Sequence, residues 1–140
     1  FKNALAAHNI KLSKKHVAWG AYTFESGAAC AAQLLSNDDS RPTAIFASND
    51  EMALGAMVAA ATLNIGVPAQ LSIAGFDDEP HASKIYPSLT TVNQNVRKIG
   101  QLAAEKLVAL CKNDPGQAAQ VQTVVMPSLI SRASTSPVRT

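Results

Sequence analysis

The stretch that decides the fold is residues 43–51, Thr-Ala-Ile-Phe-Ala-Ser-Asn-Asp-Glu. Its first five residues form a continuous apolar run, which predicts a buried β-strand. Ser48, followed three residues later by Glu51, has the form of a capping box, so a helix is expected to begin there with Ser48 as its N-cap. The helix should run to about Asn64, because a glycine and a proline follow. A buried strand that leads directly into a helix is typical of an α/β fold.

The same alternation of apolar runs and helical stretches extends along the rest of the chain. It predicts an α/β fold with a parallel sheet of about three to five strands, flanked by helices. One domain is expected over residues 1–135, and residues 136–140 look like a loose tail. The predicted helices cover residues 1–9, 24–35, 50–64 and 95–112, and the predicted strands cover residues 16–20, 43–47, 71–76, 90–93, 121–126 and 128–131.

Composition excludes several classes of protein. The 140 residues are 47% hydrophobic and 16% charged, which is too apolar for a disordered chain. The formal net charge of +2 comes without a dense basic cluster, so the sequence carries no nucleic-acid footprint. The longest apolar run, residues 52–63, is shorter than the roughly 20 residues that a membrane span needs. Cys30 and Cys111 lack metal-ligand spacing and are interpreted as buried thiols in a reducing compartment.

Ligands of parallel α/β sheets bind beyond the carboxyl ends of the strands. Polar or aromatic segments follow several predicted strands here, at residues 20–23, 48–50, 76–79 and 93–94. The acidic run Asp77-Asp78-Glu79 leaves three interpretations open. One carboxylate binds neighbouring hydroxyl groups of a sugar or nucleoside, two carboxylates act as catalytic acid and base, or the loop is merely solvated.

Two further side chains at the same edge suit a ligand that is rich in hydroxyl groups. With Ser48 as the cap, Asn49 is free to face the crevice, where its amide offers both a donor and an acceptor. Tyr22 lies two residues beyond a predicted strand and can stack on a sugar ring or a base. Trp19, which lies within that strand, is expected in the core.

The sequence assembles no catalytic, metal or cofactor site. His8, His16 and His81 are far apart and lack the spacing of metal ligands. No Gly-x-Ser-x-Gly elbow is present, and the seven glycines form no phosphate-binding loop. We therefore interpret the chain as a binding module and not as an enzyme.

Four longer segments of the chain together carry a resemblance to a known family. They are residues 41–55, Arg-Pro-Thr-Ala-Ile-Phe-Ala-Ser-Asn-Asp-Glu-Met-Ala-Leu-Gly; residues 67–78, which begin Val-Pro and end Leu-Ser-Ile-Ala-Gly-Phe-Asp-Asp; residues 87–94, Pro-Ser-Leu-Thr-Thr-Val-Asn-Gln; and residues 127–135, Pro-Ser-Leu-Ile-Ser-Arg-Ala-Ser-Thr. In this order they resemble the LacI/GalR family of bacterial transcriptional regulators, the lactose- and purine-repressor type. The resemblance covers about residues 1–135.

The resemblance implies the C-terminal lobe of an effector-binding domain with a fold like that of type I periplasmic binding proteins. Such regulators are cytoplasmic homodimers that sense a small molecule, sugar or purine-like, and bind operator DNA through a helix-turn-helix domain that this chain lacks. The implied ligand-binding residues are Tyr22 as a stacking aromatic, Asn49, Asp77 as the hydroxyl-binding carboxylate, and Gln94 near the crossover between lobes. Neither a cofactor nor a membrane is implied. The chain also begins at Phe1 within a helical pattern, without an initiator methionine or signal peptide, so we expect a fragment of a longer protein.

Two predicted helices have more apolar surface than a simple packing role requires. The helix over residues 50–64 is apolar nearly all round, so its second face is expected to meet another chain in a two-fold dimer. The helix over residues 95–112 has one apolar stripe, which we expect to fold back on its own lobe or to pack against a partner chain. The predicted dimer-interface residues are Met52, Met57, Ala60, His81 and Tyr86.

Half of a periplasmic sugar-binding protein of a transport system is the alternative function, because its fold would be alike. The Pro-x-Leu-Thr-Thr-Val and Leu-Ile-x-Arg sequences favour the regulator. A sugar hydrolase is a third hypothesis, for which the sequence offers no paired acid and base.

Overall fold

The computed structural model describes residues 1–36, 41–112 and 122–137. Helices alternate with short strands along most of this range. In chain order the elements are α1 (Lys2–Ala7), a 3₁₀ helix (Lys14–His16), α2 (Phe24–Leu35), β1 (Ala44–Phe46), α3 (Asp50–Thr62), β2 (Ser72–Ala74), β3 (Thr91–Asn93), α4 (Val96–Cys111) and β4 (Ser128–Ile130). None of these described helices is long and apolar enough to cross a membrane.

The strands form a parallel frame that ends in an antiparallel pair. β1 pairs with β2 in parallel. Single parallel bridges join Ala74 to Thr90 and Asp77 to Asn93, and these bridges continue the frame from β2 to β3. β3 then pairs antiparallel with β4. The predicted α/β fold with a parallel sheet is confirmed, although each strand is shorter than its apolar run. The expectation that the first strand is buried is wrong, because two of the three residues of β1, Ala44 and Phe46, are exposed.

Two predicted strands are wrong. Residues 16–20 are predicted to form a strand, but the segment holds the end of the 3₁₀ helix and then backbone that joins no sheet. The expected core residue Trp19 is 89% exposed. Of the predicted strand over residues 121–126, residue 121 lies outside the described residues, and residues 122–126 belong to no strand. An apolar run becomes a strand only where a neighbouring backbone supplies ladder hydrogen bonds, and composition alone does not reveal that neighbour.

The helix starts follow side-chain capping. Thr23 caps α2 as a reciprocal capping box with Ser26, in which each side chain accepts a hydrogen bond from the other residue's backbone N–H. The expectation that Ser48 caps α3 is wrong, because Asn49 is the N-cap and its Oδ1 accepts the backbone N–H of Met52 at 2.9 Å. Asparagine is as good an N-cap as serine, and α3 begins at the predicted residue, Asp50.

Close packing of α2 against α3 organises the core. A Cβ atom placed on Gly55 would lie 2.1 Å from the carbonyl oxygen of Phe24, and one placed on Gly27 would lie 2.3 Å from that of Met52. Only glycine permits such an approach of two helix backbones. Four alanines of α3 face the same core, which is completed by larger side chains from α2, the sheet and its connections; these residues are Ala53, Ala56, Ala59, Ala60, Leu35, Leu71, Ile73 and Leu89. The expectation of buried cysteines is wrong, because Cys30 is half-buried and Cys111 lies exposed on α4.

The apolar stripe of α4 does not fold back on the lobe. Ile99, Ala103 and Leu107 are all exposed, and α4 makes at most isolated contacts with the other described elements. That part of the prediction is wrong, because no other described helix or strand packs extensively against α4. Packing of the stripe against a partner chain stays a prediction.

Replacing Gly55 with alanine should lower the free energy of unfolding by about 1–3 kcal/mol, because the methyl group must push the α2 and α3 backbones apart. Urea unfolding followed by circular dichroism measures this loss. Gly100→Ala is the matched control, because Gly100 also lies within a helix but has nothing within 4 Å of its Cβ position. That variant should gain up to about 1 kcal/mol from helix propensity. Equal changes in the two variants would contradict the tight helix contact.

Candidate functional site

Hydrogen bonds join the predicted ligand-binding residues into two pairs. The Asn49 side chain donates from Nδ2 to the carbonyl oxygen of Tyr22 at 3.0 Å. The Gln94 side chain donates from Nε2 to the carboxylate of Asp77. A third hydrogen bond links the pairs, since Oδ2 of Asp50, the residue after Asn49, accepts the backbone N–H of Glu79 at 2.8 Å. We call the segments 20–23, 48–50, 76–79 and 93–94 together the polar edge.

The Tyr22 ring is presented by a rigid turn. Ser26 Oγ accepts the backbone N–H groups of Ala21 and Thr23 at 3.0 and 3.3 Å and donates to the carbonyl oxygen of Thr23 at 2.9 Å. Tyr22 itself adopts a left-handed conformation with φ of 61° and is 66% exposed. A fixed backbone and an exposed ring suit an aromatic platform for a ligand.

Asn49 is less free than its sequence context predicts. Because it caps α3, its Oδ1 accepts the Met52 N–H, and its Nδ2 is engaged by the Tyr22 carbonyl. An asparagine amide has two N–H donors and two acceptor lone pairs, so one of each remains for a ligand. Asn49 is therefore both a structural link and a candidate ligand residue.

Asp77 lies in a strained loop beside β3. Its φ is 118° and that of Asp78 is 59°, both in the left-handed region that most residues avoid. The Asp77 backbone N–H donates to the carbonyl oxygen of Val92 at 2.9 Å, and its carboxylate accepts from Gln94. Strain of this kind persists only where neighbouring contacts hold it, and it clusters at functional sites.

Asp78 has a structural partner. Its Oδ1 accepts from Arg132 Nη2 at 2.6 Å, and its Oδ2 accepts from Asn93 Nδ2 at 2.8 Å. Arg132 also donates from Nη1 to the carbonyl oxygen of Leu89 at 2.8 Å. The hydrogen bond from Arg132, reinforced by the one from Asn93, lowers the pKa of the Asp78 carboxyl below its ordinary value of 3.8. This group therefore ties the loop to the end of the chain.

The arrangement is suited to binding and not to acid–base catalysis. Asp78 is held as an ion pair, and the exposed Glu79 meets the site through its backbone, so the loop does not place two carboxyl groups in opposed environments. The described residues contain no group of three His, Cys, Asp or Glu side chains that could hold a metal ion. Asp50 and Asn93 lie in segments that the sequence predicts for this edge, but their roles in the loop are not predicted. Thr91 and Arg132 are not predicted as site residues. The contacts of these four residues join positions far apart in the chain.

A second surface contains part of the predicted dimer interface. A groove of about 530 Å³, which we call the outer groove, is lined by Phe24, Leu54, Met57, Val58, Ala61, Ile65, Gly66, Val67, Ile85, Tyr86 and Pro87. Met57 and Tyr86 are predicted dimer-interface residues that also line the outer groove, and Tyr86 is 98% exposed. The placement of Met52 and Ala60 at an interface needs correction, because both are buried within the single chain. His81 is half-buried, with its Nε2 3.7 Å from Glu51 Oε1.

The sequence of this chain is similar to a known domain profile and to known transcriptional repressors. The profile of the periplasmic binding protein-like domain matches residues 1–135. The probable HTH-type transcriptional repressor ExuR of Bacillus subtilis is 37% identical over 86% of this chain and 36% of its own length. The HTH-type transcriptional repressor PurR of Proteus mirabilis is 36% identical over 96% of this chain and 38% of its own length. This chain thus spans little more than a third of these relatives.

Solved structures give the same picture. A regulatory protein of the LacI family from Chloroflexus aggregans superposes with a TM-score of 0.87 at 35% identity, covering 96% of this chain and 47% of its own. A LacI family transcriptional regulator from Lactobacillus casei with bound sucrose superposes with a TM-score of 0.79 at 28% identity, and the match covers 95% of this chain and 48% of that protein. The lac repressor dimer bound to operator and the anti-inducer ONPF superposes with a TM-score of 0.80 at 30% identity, and the match covers 95% of this chain and 44% of that protein.

The lowered pKa of Asp78 predicts a stability that depends on pH. A carboxyl whose pKa falls on folding contributes stability above its unfolded value and loses it as pH falls through the folded value. The protein should therefore lose stability below about pH 4. Asp78→Asn should lower the free energy of unfolding at pH 7 by about 1.5–3 kcal/mol and flatten this acid dependence. Urea unfolding between pH 7 and pH 2.5 measures both effects.

Arg132→Gln is the control for that experiment. Removing the guanidinium removes the main cause of the lowered pKa of Asp78, so the free energy of unfolding of this variant should also depend less on pH in the acidic range. The double variant should lose less stability than the sum of the two single losses. If the stability of Asp78→Asn fell with decreasing pH as it does in the wild type, Asp78 would not be the source of the acid dependence.

Proposed function

This chain belongs to the LacI family of transcriptional regulators and matches the periplasmic binding protein-like domain over residues 1–135. We propose that it is the C-terminal lobe of the effector-binding domain of such a regulator, the portion that senses the effector and dimerises. The effector is a small molecule rich in hydroxyl groups, a sugar or a nucleoside-like compound. Operator DNA is a partner of the intact protein through a separate domain. Because operator-binding repressors act where the DNA is, the expected compartment is the cytoplasm.

The Asp77–Gln94 pair, at the polar edge to which the exposed Tyr22 ring also belongs, is the observation that carries this proposal. A carboxylate accepts hydrogen bonds from adjacent hydroxyl groups of a ring, and the neighbouring amide adds a donor and an acceptor. An aromatic face covers the C–H side of the same ring. Asn49 completes the set with its remaining N–H and lone pair.

The relatives support a sugar as the first class of effector to test. The Lactobacillus casei regulator in the comparison carries bound sucrose. The curated relatives are named as transcriptional repressors, which favours a regulator over half of a periplasmic transport protein.

Dimerisation through the outer groove is the second part of the proposal. Met57 lies on the outward side of α3, and Tyr86 projects from the loop beside it. An apolar groove next to a protruding aromatic ring is self-complementary across a two-fold axis, because each ring can enter the groove of the other copy. The lac repressor in the comparison is a dimer.

Asp77→Asn should weaken sucrose binding about tenfold, the equivalent of one charge-assisted hydrogen bond. Ligand-observed saturation-transfer NMR, with sucrose, glucose, cellobiose and adenosine as probes, measures the binding. Glu105→Gln is the matched control, because it removes a carboxylate from an exposed position on α4 and should leave binding unchanged. Binding of none of the probes, or equal loss in both variants, would contradict the proposed site.

Met57→Asp and Tyr86→Asp should each convert the dimer to monomers, because a charge in the outer groove would be buried without a partner. Analytical ultracentrifugation gives the oligomeric state. Ile10→Asp is the control, since Ile10 is an exposed apolar residue that does not line the groove. A wild-type protein that sediments as a monomer, or a monomer produced by Ile10→Asp, would refute this interface.

A further inference from the structure

Asp50 stands out among the described residues as a charged side chain that is fully buried. It is the first residue of α3, where the helix dipole favours a negative group. Its Oδ1 accepts the hydroxyl of Thr91 at 2.6 Å, and its Oδ2 accepts the backbone N–H of Glu79 at 2.8 Å. A buried carboxylate is costly unless such bonds satisfy it, so its presence calls for an explanation.

We propose that Asp50 is a positioning residue that holds the loop of Asp77, Asp78 and Glu79 in the conformation that presents Asp77 to a ligand. The inference rests on the proposed function for the identity of that ligand. It concerns a residue of the polar edge that does not itself touch the ligand, because its side chain is fully buried.

The two oxygens of Asp50 fix the loop at successive amides. Oδ2 holds Glu79 directly. Oδ1 holds the Thr91 hydroxyl, whose oxygen in turn accepts the backbone N–H of Asp78 at 3.4 Å. Both residues before Glu79 have positive φ, and such conformations need contacts that over-determine them. Asp50 supplies these contacts from beneath the loop.

The space for this carboxylate is made by a glycine. A Cβ atom on Gly75 would lie 2.3 Å from Asp50 Oδ1, so a side chain at that position would displace the carboxylate. Gly75 immediately follows β2, and its backbone N–H donates to the carbonyl oxygen of Thr90 at 2.9 Å. The strand end therefore approaches α3 closely enough for Asp50 to reach the loop.

The residue before Asp50 holds the other side of the polar edge. Asn49 Nδ2 binds the carbonyl oxygen of Tyr22, while Asp50 binds the loop of Asp77. Two consecutive residues in the first turn of α3 thus fix the aromatic platform and the carboxylate relative to one another. A ligand that needs both groups finds them already arranged, which reduces the ordering cost of binding.

Asp50→Asn tests the proposal, because an amide of the same shape offers one acceptor where the carboxylate offers two. The amide resonance of Glu79 in ¹H–¹⁵N NMR spectra reports the bond to Oδ2, and the side-chain amide of Gln94 reports the position of Asp77. We expect the Glu79 proton to move upfield, the Gln94 signals to shift, and sucrose binding to weaken about tenfold. Thr91→Val removes only the hydroxyl relay and should shift the same signals in a smaller degree, which keeps the test decisive if Asp50→Asn does not fold.

Two controls separate positioning from general destabilisation. Glu51→Gln removes the same charge from the same turn of α3 at an exposed position, and it should leave the Gln94 signals in place. Leu71→Ala opens a cavity at a fully buried residue and lowers stability without touching the loop. If Asp50→Asn and Thr91→Val leave the Glu79 and Gln94 signals unchanged, or if Leu71→Ala moves them equally, Asp50 is not a positioning residue. Shifted signals in a protein that never binds sucrose would support the positioning and refute the sugar assignment.

Discussion

The contact between α2 and α3 at Gly27 and Gly55 is the constraint on which the rest of the molecule depends. It brings two helix backbones to a separation that no side chain allows, and so fixes α3 in position and rotation. Once α3 is fixed, four of its alanines face the core, its first residue belongs to the polar edge, and its outward side contributes to the outer groove. One helix thereby carries the core, the candidate ligand site and the proposed dimer surface.

The end of the chain supplies the second tie. Ser134 is fully buried, with its hydroxyl donating to the carbonyl oxygen of Ile73 at 2.6 Å and accepting the backbone N–H of Thr90 at 2.8 Å. Arg132 reaches Asp78 and the carbonyl oxygen of Leu89 from the same segment. These bonds span 43 to 61 residues of sequence. The polar edge is therefore complete only when the last described segment has docked.

Local signals in the sequence predict much of the fold, and tertiary contacts decide what they miss. The helices α2, α3 and α4 lie within the predicted ranges, because apolar spacing and end signals are local. Asp77 and Asn49 are also predicted from local sequence, because ligands of parallel α/β sheets bind beyond the carboxyl ends of the strands and both residues follow an apolar run. By contrast, the cap at Asn49, the exposure of Trp19 and the burial of Met52 depend on what each residue meets in space. Asp50 and Arg132 escaped notice for that reason, since their partners are distant in sequence.

Carboxyl groups crowd the polar edge, yet their environments give them different roles. Asp78 is neutralised by Arg132, and Asp50 is enclosed beneath the loop with donors on both oxygens. Asp77 accepts a hydrogen bond from the neutral side chain of Gln94, and no described cation is bonded to it. Arg132 is bonded to Asp78 and to the carbonyl oxygen of Leu89, so its guanidinium serves the structure of the loop. Asp77 is therefore a carboxylate of the loop whose hydrogen-bonding capacity is not used by a charged partner, and a carboxylate of this kind can accept hydrogen bonds from hydroxyl donors.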